Sequence, residues 1–354
     1  MTARHAVLPL QAPTDRGRQS TTTLQHPRLD PEVSRDLLMA HGRQSSSYFS
    51  LQQACHHFHH PHLGYIAYTP VRTFWGLTNV VITNPVAAPD RMGALISAFE
   101  SSVPGRPLYV GVDGEAASRL SGLGHRTTMM GTEFVVDLDN FTLEGSAMKQ
   151  LRHASNLHRR ENVQVQELIP SADVMEQASA ISDSWRQSKV VKDRELRLLT
   201  RPPEFGMEWG VRRFFAYHQG RMVGYVFFDP YYEHGRIKGY CANILRSDPG
   251  VKIAGLLDHI VLRAMSVFRE EGVRELSLGI APLHGVREAP GEQRLLRYTN
   301  QWLYEHGNRL YAFRALAYHK SRYRAREEPW YLCARNLSTP AIAWVLLKGT
   351  GVLS

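Results

Sequence analysis

The most regular hydrophobic period in the chain falls at Ile253, Leu256, Leu257, Ile260, Val261, Ala264, Met265 and Phe268. That i, i+3, i+4, i+7, i+8 spacing predicts one buried face of a helix, and Gly272 ends it. A strand ending near Tyr240 is expected before it, and "RELSLGI" (274–280) reads as a strand after it. Strand, turn, amphipathic helix, strand is a βαβ-like passage, in which anions bind where the strand hands over to the helix.

The same alternation organises the rest of the sequence. "PEVSRDLLMAHG" predicts a helix that starts on Pro31 after Asp30 and stops at Gly42. Strands are expected at 64–70, 73–83, 106–112 and 131–141, with a helix over 91–102. After a linking helix over 144–162 the rhythm repeats: strand 163–169, helix 171–188, and strands 212–219 and 221–230 around a Gly turn. The pattern predicts an α/β fold of two similar halves, 29–143 and 163–335. An arm of polar character (1–28) precedes them and an apolar tail (336–354) follows.

Composition narrows the class. The chain is 43% hydrophobic and 21% charged, and no segment has the roughly 18–20 unbroken apolar residues of a membrane span. The N-terminal stretch lacks the apolar core of a signal peptide. A cytoplasmic protein is therefore expected, with possible placement on the inner membrane face through "TPAIAWVLLKGTGVLS" packing either on the second half or against a bilayer. Cys55, Cys241 and Cys333 are scattered and odd in number, which predicts no disulfide framework. The formal net charge of +9 is concentrated in "KQLRHASNLHRR" (149–160) and "HKSRYRAR" (319–326), stretches suited to polyanions.

The segment "RSDPGVKIAGLLD" (246–258) carries the candidate anion turn. Gly250 and Gly255 permit close backbone approach, and Arg246 and Lys252 add charge. It lacks the Gly-Lys-Ser/Thr ending of a Walker A loop. It resembles a loose form of the coenzyme A pyrophosphate loop of GNAT acyltransferases, R/Q-x-x-G-x-G/A. Asp258, beside the apolar stripe, is placed to accept a hydroxyl proton or to hold an ammonium, and the sequence leaves both open. Basic residues occupy every second position at Lys320, Arg322, Arg324 and Arg326. On a strand they would share a face; on a helix they would pair 320 with 324 and 322 with 326. "HHFHHPH" (56–62) lacks the Glu of HExxH and contains Pro61, so no metal site is expected there. No G-x-S-x-G elbow surrounds Ser184, Ser266 or Ser277.

Several motifs in order resemble the C-terminal catalytic domain of the aminoacyl-phosphatidylglycerol synthases, from about residue 40 to 335. "KGYCANILRSDPGVKIAGLLD" with "LGIAPL" is similar to that family's Y-S-x-D-L-x-R, P-x-G-x-x-D and L-G-M-A-P-L, matching Tyr240, Arg246, Pro249 and Asp258. "GTEFVVDLDNFTLEG" places Glu133 on the second Glu of a G-E-E motif. "LRHASNLHRREN" supplies Arg152 and Asn156, "SWRQSK" supplies Trp185 and Lys189, and "FRALAYHKSRYRAREEPWYLC" supplies Lys320 and Arg322. Departures fall at Asn243, where the family has Asp, at Asn162, at His319, and at Ala325-Arg326-Glu327.

The resemblance implies two tandem GNAT-like domains joined by a helix, no metal, no cofactor, and aminoacyl-tRNA as co-substrate. The expected form is a standalone one without the family's flippase domain. The implied reaction esterifies a hydroxyl acceptor, either an anionic lipid of the phosphatidylglycerol type or a small soluble metabolite of a biosynthetic pathway. Asp258, Lys320 and Arg246 are the candidate catalytic residues. Tyr240, Asn243, Trp185, Lys189, Gly250, Lys252, Arg322 and Glu133 are candidate substrate contacts. Arg152, Arg159, Arg160, Arg324 and Arg326 are candidate tRNA or phosphate contacts. Two other readings remain: an acyl-CoA-dependent N-acyltransferase using the 246–258 turn, and a non-catalytic RNA- or lipid-binding module.

Overall fold

The computed structural model describes residues 28–188, 201–307 and 311–351. Residues 1–27 of the expected N-terminal arm and Lys189 lie outside the described residues, as does the side chain of Arg159.

A sheet of eleven strands runs through the whole chain in the order β1-β2-β3-β4-β11-β5-β10-β9-β8-β7-β6. The first half contributes β1 (His56–His60), β2 (Gly64–Thr73), β3 (Gly76–Ile82), β4 (Arg106–Val112) and β5 (Arg126–Asp137). The second contributes β6 (Gln164–Glu167), β7 (Arg212–His218), β8 (Arg221–Glu233), β9 (Arg236–Ser247) and β10 (Glu275–Pro282). The last strand, β11 (Arg326–Ala334), crosses back and pairs antiparallel with both β4 and β5. The mixed α/β class is as expected, and the two halves share one sheet through the β5–β10 pairing.

Helix α1 (Pro31–His41) begins as the sequence indicates, with the Asp30 carboxylate accepting from the Glu32 and Val33 amides at 2.8 and 3.3 Å. Gly42 closes it, and its carbonyl accepts from the Tyr232 amide of β8, a bond between the halves. α2 (Met92–Ser102) and α3 (Gly114–Gly122) cover one face of β2–β4. α3 is an element beyond those expected, and its buried face is only Ala116, Ala117 and Leu120. The histidine run forms β1, and His57 is fixed between the Leu29 amide (3.0 Å, on Nδ1) and the Ser50 carbonyl (2.7 Å, on Nε2).

The linking helix is two pieces, α4 (Lys149–Ser155) and α5 (Leu157–Glu161), broken at Asn156 and ended by left-handed Asn162. α6 (Ala172–Gln187) follows as expected. β9 passes Tyr240 and continues to Ser247, correcting the expected strand end. The 253–268 helix is α7 (Leu256–Glu270); it starts at Leu256 because Gly255 adopts φ +79°, which interrupts the helical backbone ahead of it. α7 packs its apolar face with α4 and Ala317 and Tyr323 against Phe134, Val136, Leu276 and Phe228. Phe268 also stacks on Tyr240 at 4.4 Å.

After β10 come α8 (Arg294–His306), α9 (Phe313–Ser321) and, beyond β11, α10 (Thr339–Gly349). The 320–326 stretch is neither one strand nor one helix: α9 ends at Ser321, Arg324 takes φ +53°, and β11 begins at Arg326. The apolar tail becomes α10, and Ala341, Ile342 and Val345 pack with Ala67, Val71 and Leu108 of the first half. None of the described helices is long and apolar enough to cross a membrane.

Candidate functional site

Four of the residues singled out by sequence, Lys320, Glu133, Asp258 and Arg322, lie in or beside the place where β9 and β10 separate. These parallel strands pair only over Glu275–Ser277, and the β5–β10 register shifts between Ser277 and Ile280. Gly279 lies in this bulge at φ +74°. Lys320 reaches into the gap from the end of α9 and donates to the Ile280 carbonyl at 2.7 Å. A Cβ at Gly279 would stand in ordinary contact, 3.5 Å from Nζ and 4.0 Å from Cys241 Sγ, so the left-handed backbone and not lack of space calls for glycine there. Lys320 is only 8% exposed, and burial pushes its pKa down to about 8.

On one side of this gap stands Glu133 of β5. Its carboxylate is buried and accepts from the Ser45 and Ser277 hydroxyls and from Trp330 Nε1 at 3.0 Å. Burial raises its pKa despite these donors. Glu133 closes the floor of a cleft of about 130 Å³ between the halves, also lined by Asp113, Glu115, Glu275 and Glu328. Arg43 and Lys238 line it too, but the carboxylates outnumber them. The cleft is acidic.

On the other side, behind Phe134, a cleft of about 690 Å³ is lined by Lys149, Gln150, Tyr318, Arg322 and Arg324, with Glu327 as its one carboxylate. The two basic stretches recognised in the sequence meet here: Gln150 of α4 donates to the Tyr318 hydroxyl of α9 at 3.1 Å. Arg322 is held from beneath by Asp258, at 3.1 Å to Oδ1 and 2.9 Å to Oδ2. Tyr323 donates to Asp258 Oδ1 at 2.7 Å, and His319 Nε2 lies 3.4 Å from it. Asp258 is 3% exposed with both oxygens engaged, so it faces Arg322 and not a cleft. Burial lowers the pKa of His319, keeping it neutral beside the Arg322 guanidinium.

The other candidates are dispersed. The Arg246 guanidinium stacks on Trp185 at 3.7 Å. Asn243 donates to Asp229 Oδ2 at 2.9 Å, and Asp229 is clamped by Arg201 at 3.1 and 2.7 Å. Glu208 ties Arg201 to Arg213 in the same buried cluster. Tyr240 belongs to the α7 core. In the 246–258 turn the Gly250 amide donates to Asp248 Oδ1 at 2.8 Å, so the chain supplies its own anion there, while Lys252 is exposed. Arg152 clasps the Leu143 and Gly145 carbonyls, and Arg160 is exposed on α5. Arg326 leaves the basic cleft for the opposite face of the sheet, bonded to Glu275 (3.1 Å) and Glu328 (2.7 Å).

Sequence reasoning missed Ser45, Ser277 and Trp330, the partners of Glu133. They lie 88, 144 and 197 residues from it, beyond any local spacing rule. Among the described residues no group of three or more His, Cys, Asp or Glu side chains is arranged to hold a metal ion.

A family model described as phosphatidylglycerol lysyltransferase, C-terminal, matches residues 35–334. The chain belongs to that family. An uncharacterized protein of Corynebacterium glutamicum is 24% identical over 297 residues, covering 79% of this chain and 36% of the relative. A phosphatidylglycerol lysyltransferase of Bacillus subtilis is 24% identical over 249 residues, covering 68% of this chain and 27% of the relative. The chain thus spans about a third of these relatives' length. The solved structure of L-PGS from Bacillus licheniformis superposes with a TM-score of 0.72 at 20% identity, over 91% of this chain and 97% of that one. In the phosphatidylglycerol lysyltransferase C-terminal family, then, this chain presents an acidic cleft and a basic cleft on opposite faces of one sheet, with Lys320 buried at the β10 bulge.

Proposed function

We propose that the chain transfers an aminoacyl group from aminoacyl-tRNA to a hydroxyl acceptor, with phosphatidylglycerol as the favoured acceptor. The observation that carries this reading is an acidic cleft beside Glu133 and a basic cleft beside Arg322 on opposite faces of the sheet, with the buried Lys320 next in sequence to the basic lining. An aminoacyl ester is cationic at its amino end and is attached to a polyanion at the other. The acidic cleft suits the α-ammonium, and a basic side chain such as lysine's. Lys149, Arg322 and Arg324 suit the tRNA phosphates.

In the reaction the acceptor oxygen attacks the ester carbonyl, forming a tetrahedral oxyanion. The ribose oxygen then departs, and the proton lost by the acceptor hydroxyl ends on it. Lys320, charged below pH about 8, is the donor that faces the developing oxyanion. Asp258 acts at one remove: it is a positioning residue that aims Arg322. The relatives named as phosphatidylglycerol lysyltransferases support lipid as the acceptor and lysine as one amino acid to test first. The acyl-CoA reading is disfavoured by Asp248, whose carboxylate already takes the Gly250 amide that a pyrophosphate would need.

The test supplies the protein with a mixture of all aminoacyl-tRNAs, each carrying labelled amino acid, and phosphatidylglycerol vesicles. Label moving into the organic phase, and lost with Lys320→Ala, is the expected result. Label that leaves tRNA only when a soluble extract is added would move the acceptor to a small metabolite. Label that stays on tRNA in both cases, with measurable acyl-CoA turnover, would overturn the reading.

A further inference from the structure

Two exposed apolar features stand side by side at the end of β3 opposite the acidic cleft. The β2–β3 hairpin turns through Phe74 and Trp75, which are 95% and 43% exposed. A two-residue turn is usually filled by small polar residues, and these rings contribute nothing to the core. Next to it, α10 buries Ala341, Ile342 and Val345 but leaves Trp344 and Leu347 45% and 40% exposed. Trp344, Leu347 and Lys348 are spaced i, i+3, i+4 and so share its outer face.

Hydrogen bonds hold the two features together. Lys348 Nζ donates to the Arg72 carbonyl at 2.8 Å, and Arg106 bonds both the Trp75 carbonyl and the Asn336 carbonyl ahead of α10.

The charge carried by the two segments themselves has one sign. Residues 70–78 and 335–351 contain no Asp or Glu. Arg72, Arg106 and Lys348 have no carboxylate partner among the described residues. Protruding aromatic rings ringed by unpaired cations match the interfacial zone of an anionic bilayer, where tryptophan sits at headgroup level and basic side chains meet lipid phosphates. A protein partner would need a shaped, acidic counter-surface, whereas a bilayer needs only this chemistry.

We infer that the β2–β3 hairpin and the outer face of α10 together dock the protein onto an anionic membrane surface. The inference deepens the lipid reading above and rests on it for the choice of partner. β3 spans roughly 20 Å from this end to the other. There Asn84 and Asp113, just past the ends of β3 and β4, line the acidic cleft. A docked bilayer therefore leaves that cleft open to a soluble donor.

The test is co-sedimentation of the full chain with vesicles of phosphatidylglycerol and phosphatidylcholine, and with phosphatidylcholine alone. The wild type is expected to bind the anionic vesicles and to lose them at high salt. The triple variant Phe74→Ser, Trp75→Ser, Trp344→Ser should bind at least ~10-fold more weakly with an unchanged melting temperature. Arg72→Glu alone, at an exposed side chain and leaving the Lys348 bond to the Arg72 carbonyl in place, repeats the test through charge. Transfer to a short-chain, water-soluble phosphatidylglycerol should be unaffected in both variants. Undiminished vesicle binding by the variants, or no preference of the wild type for anionic vesicles, overturns the inference. So does a wild-type dimer in solution that the triple variant abolishes, since a second copy would then cover the face. Vesicle binding without aminoacyl transfer would leave the docking surface standing and overturn the acceptor reading alone.

Discussion

The two clefts beside β5 are built from opposite logic. On the acidic side Glu133 is buried and its neighbours are hydroxyls and an indole; no cation touches it. Its carboxylate is met by dipoles that only partly offset burial, so its pKa is raised and a cation placed beside it would favour the charged form. On the basic side Arg322 is matched by Asp258 at once, so its charge is partly spent inside the protein. Arg324 and Lys149 are the cations left for a ligand. The difference is that one side is arranged to receive a small cation closely and the other to receive a large anion loosely.

The largest effect expected is on stability. Asp258→Ala strands the Arg322 guanidinium and the Tyr323 hydroxyl and should cost about 3–5 kcal/mol, read by denaturant unfolding. Removing both partners, as in Asp258→Leu with Arg322→Met, should recover most of that loss. Lys320→Ala should lower kcat by ~10²–10³-fold, the range for a lost oxyanion donor, without a comparable change in KM.

The same lysine gives a signed pH test. Its folded pKa is near 8 against 10.5 when unfolded, so the unfolded chain holds the proton more tightly. The buried ammonium burdens the fold fully below pH about 8, and the burden fades as pH rises toward 10.5. The stability of the wild type relative to Lys320→Met should therefore rise across that window, while kcat falls as the pH passes 8. A stability difference that is flat between pH 8 and 10.5 would show that Lys320 is not desolvated.

Glu133→Gln should raise the KM for aminoacyl-tRNA by roughly 10-fold, since a charged hydrogen bond becomes a neutral one. Arg324→Ala should weaken tRNA binding and reduce the salt slope by about 1. The smallest change is expected at Arg326, half exposed and turned to the other face. Its replacement by Ala should cost ~0.2–1 kcal/mol and leave tRNA binding unaltered. If Arg326→Ala weakens tRNA as much as Arg324→Ala, the division between the clefts fails.

Much of the fold was legible because periodicity reports burial directly. The 253–268 stripe, the Asp30 cap and the paired strands of the second half all stand where the pattern puts them. Start points were legible less well: Gly255 and Asn156 interrupt helices by backbone conformation, to which hydrophobic spacing is blind. The return of β11 to lie between β4 and β5 was not legible, because an isolated strand pattern carries no record of its neighbours.

In the site, motif order brought Lys320, Arg322, Asp258 and Glu133 forward together, and the structure brings all four to the β9–β10 gap and its flanks. It did not reveal that Asp258 is spent on Arg322, nor that Arg326 turns away. The first rests on Arg322 sitting at the αR C-cap of α9, across from α7; the second follows the bend at Arg324, where a single left-handed residue breaks the alternation of side chains.

The position of β11 also sets an order in time. In the sheet ladder β4 and β5 meet through a strand that ends at Ala334. During synthesis both therefore leave the ribosome with an unfilled slot between them. At ordinary elongation rates the strand that fills it follows roughly ten to forty seconds later. For that interval the first half is an open seam, and a nascent chain that stalls before residue 334 presents two unpaired strand edges to whatever chaperone or neighbouring chain arrives first.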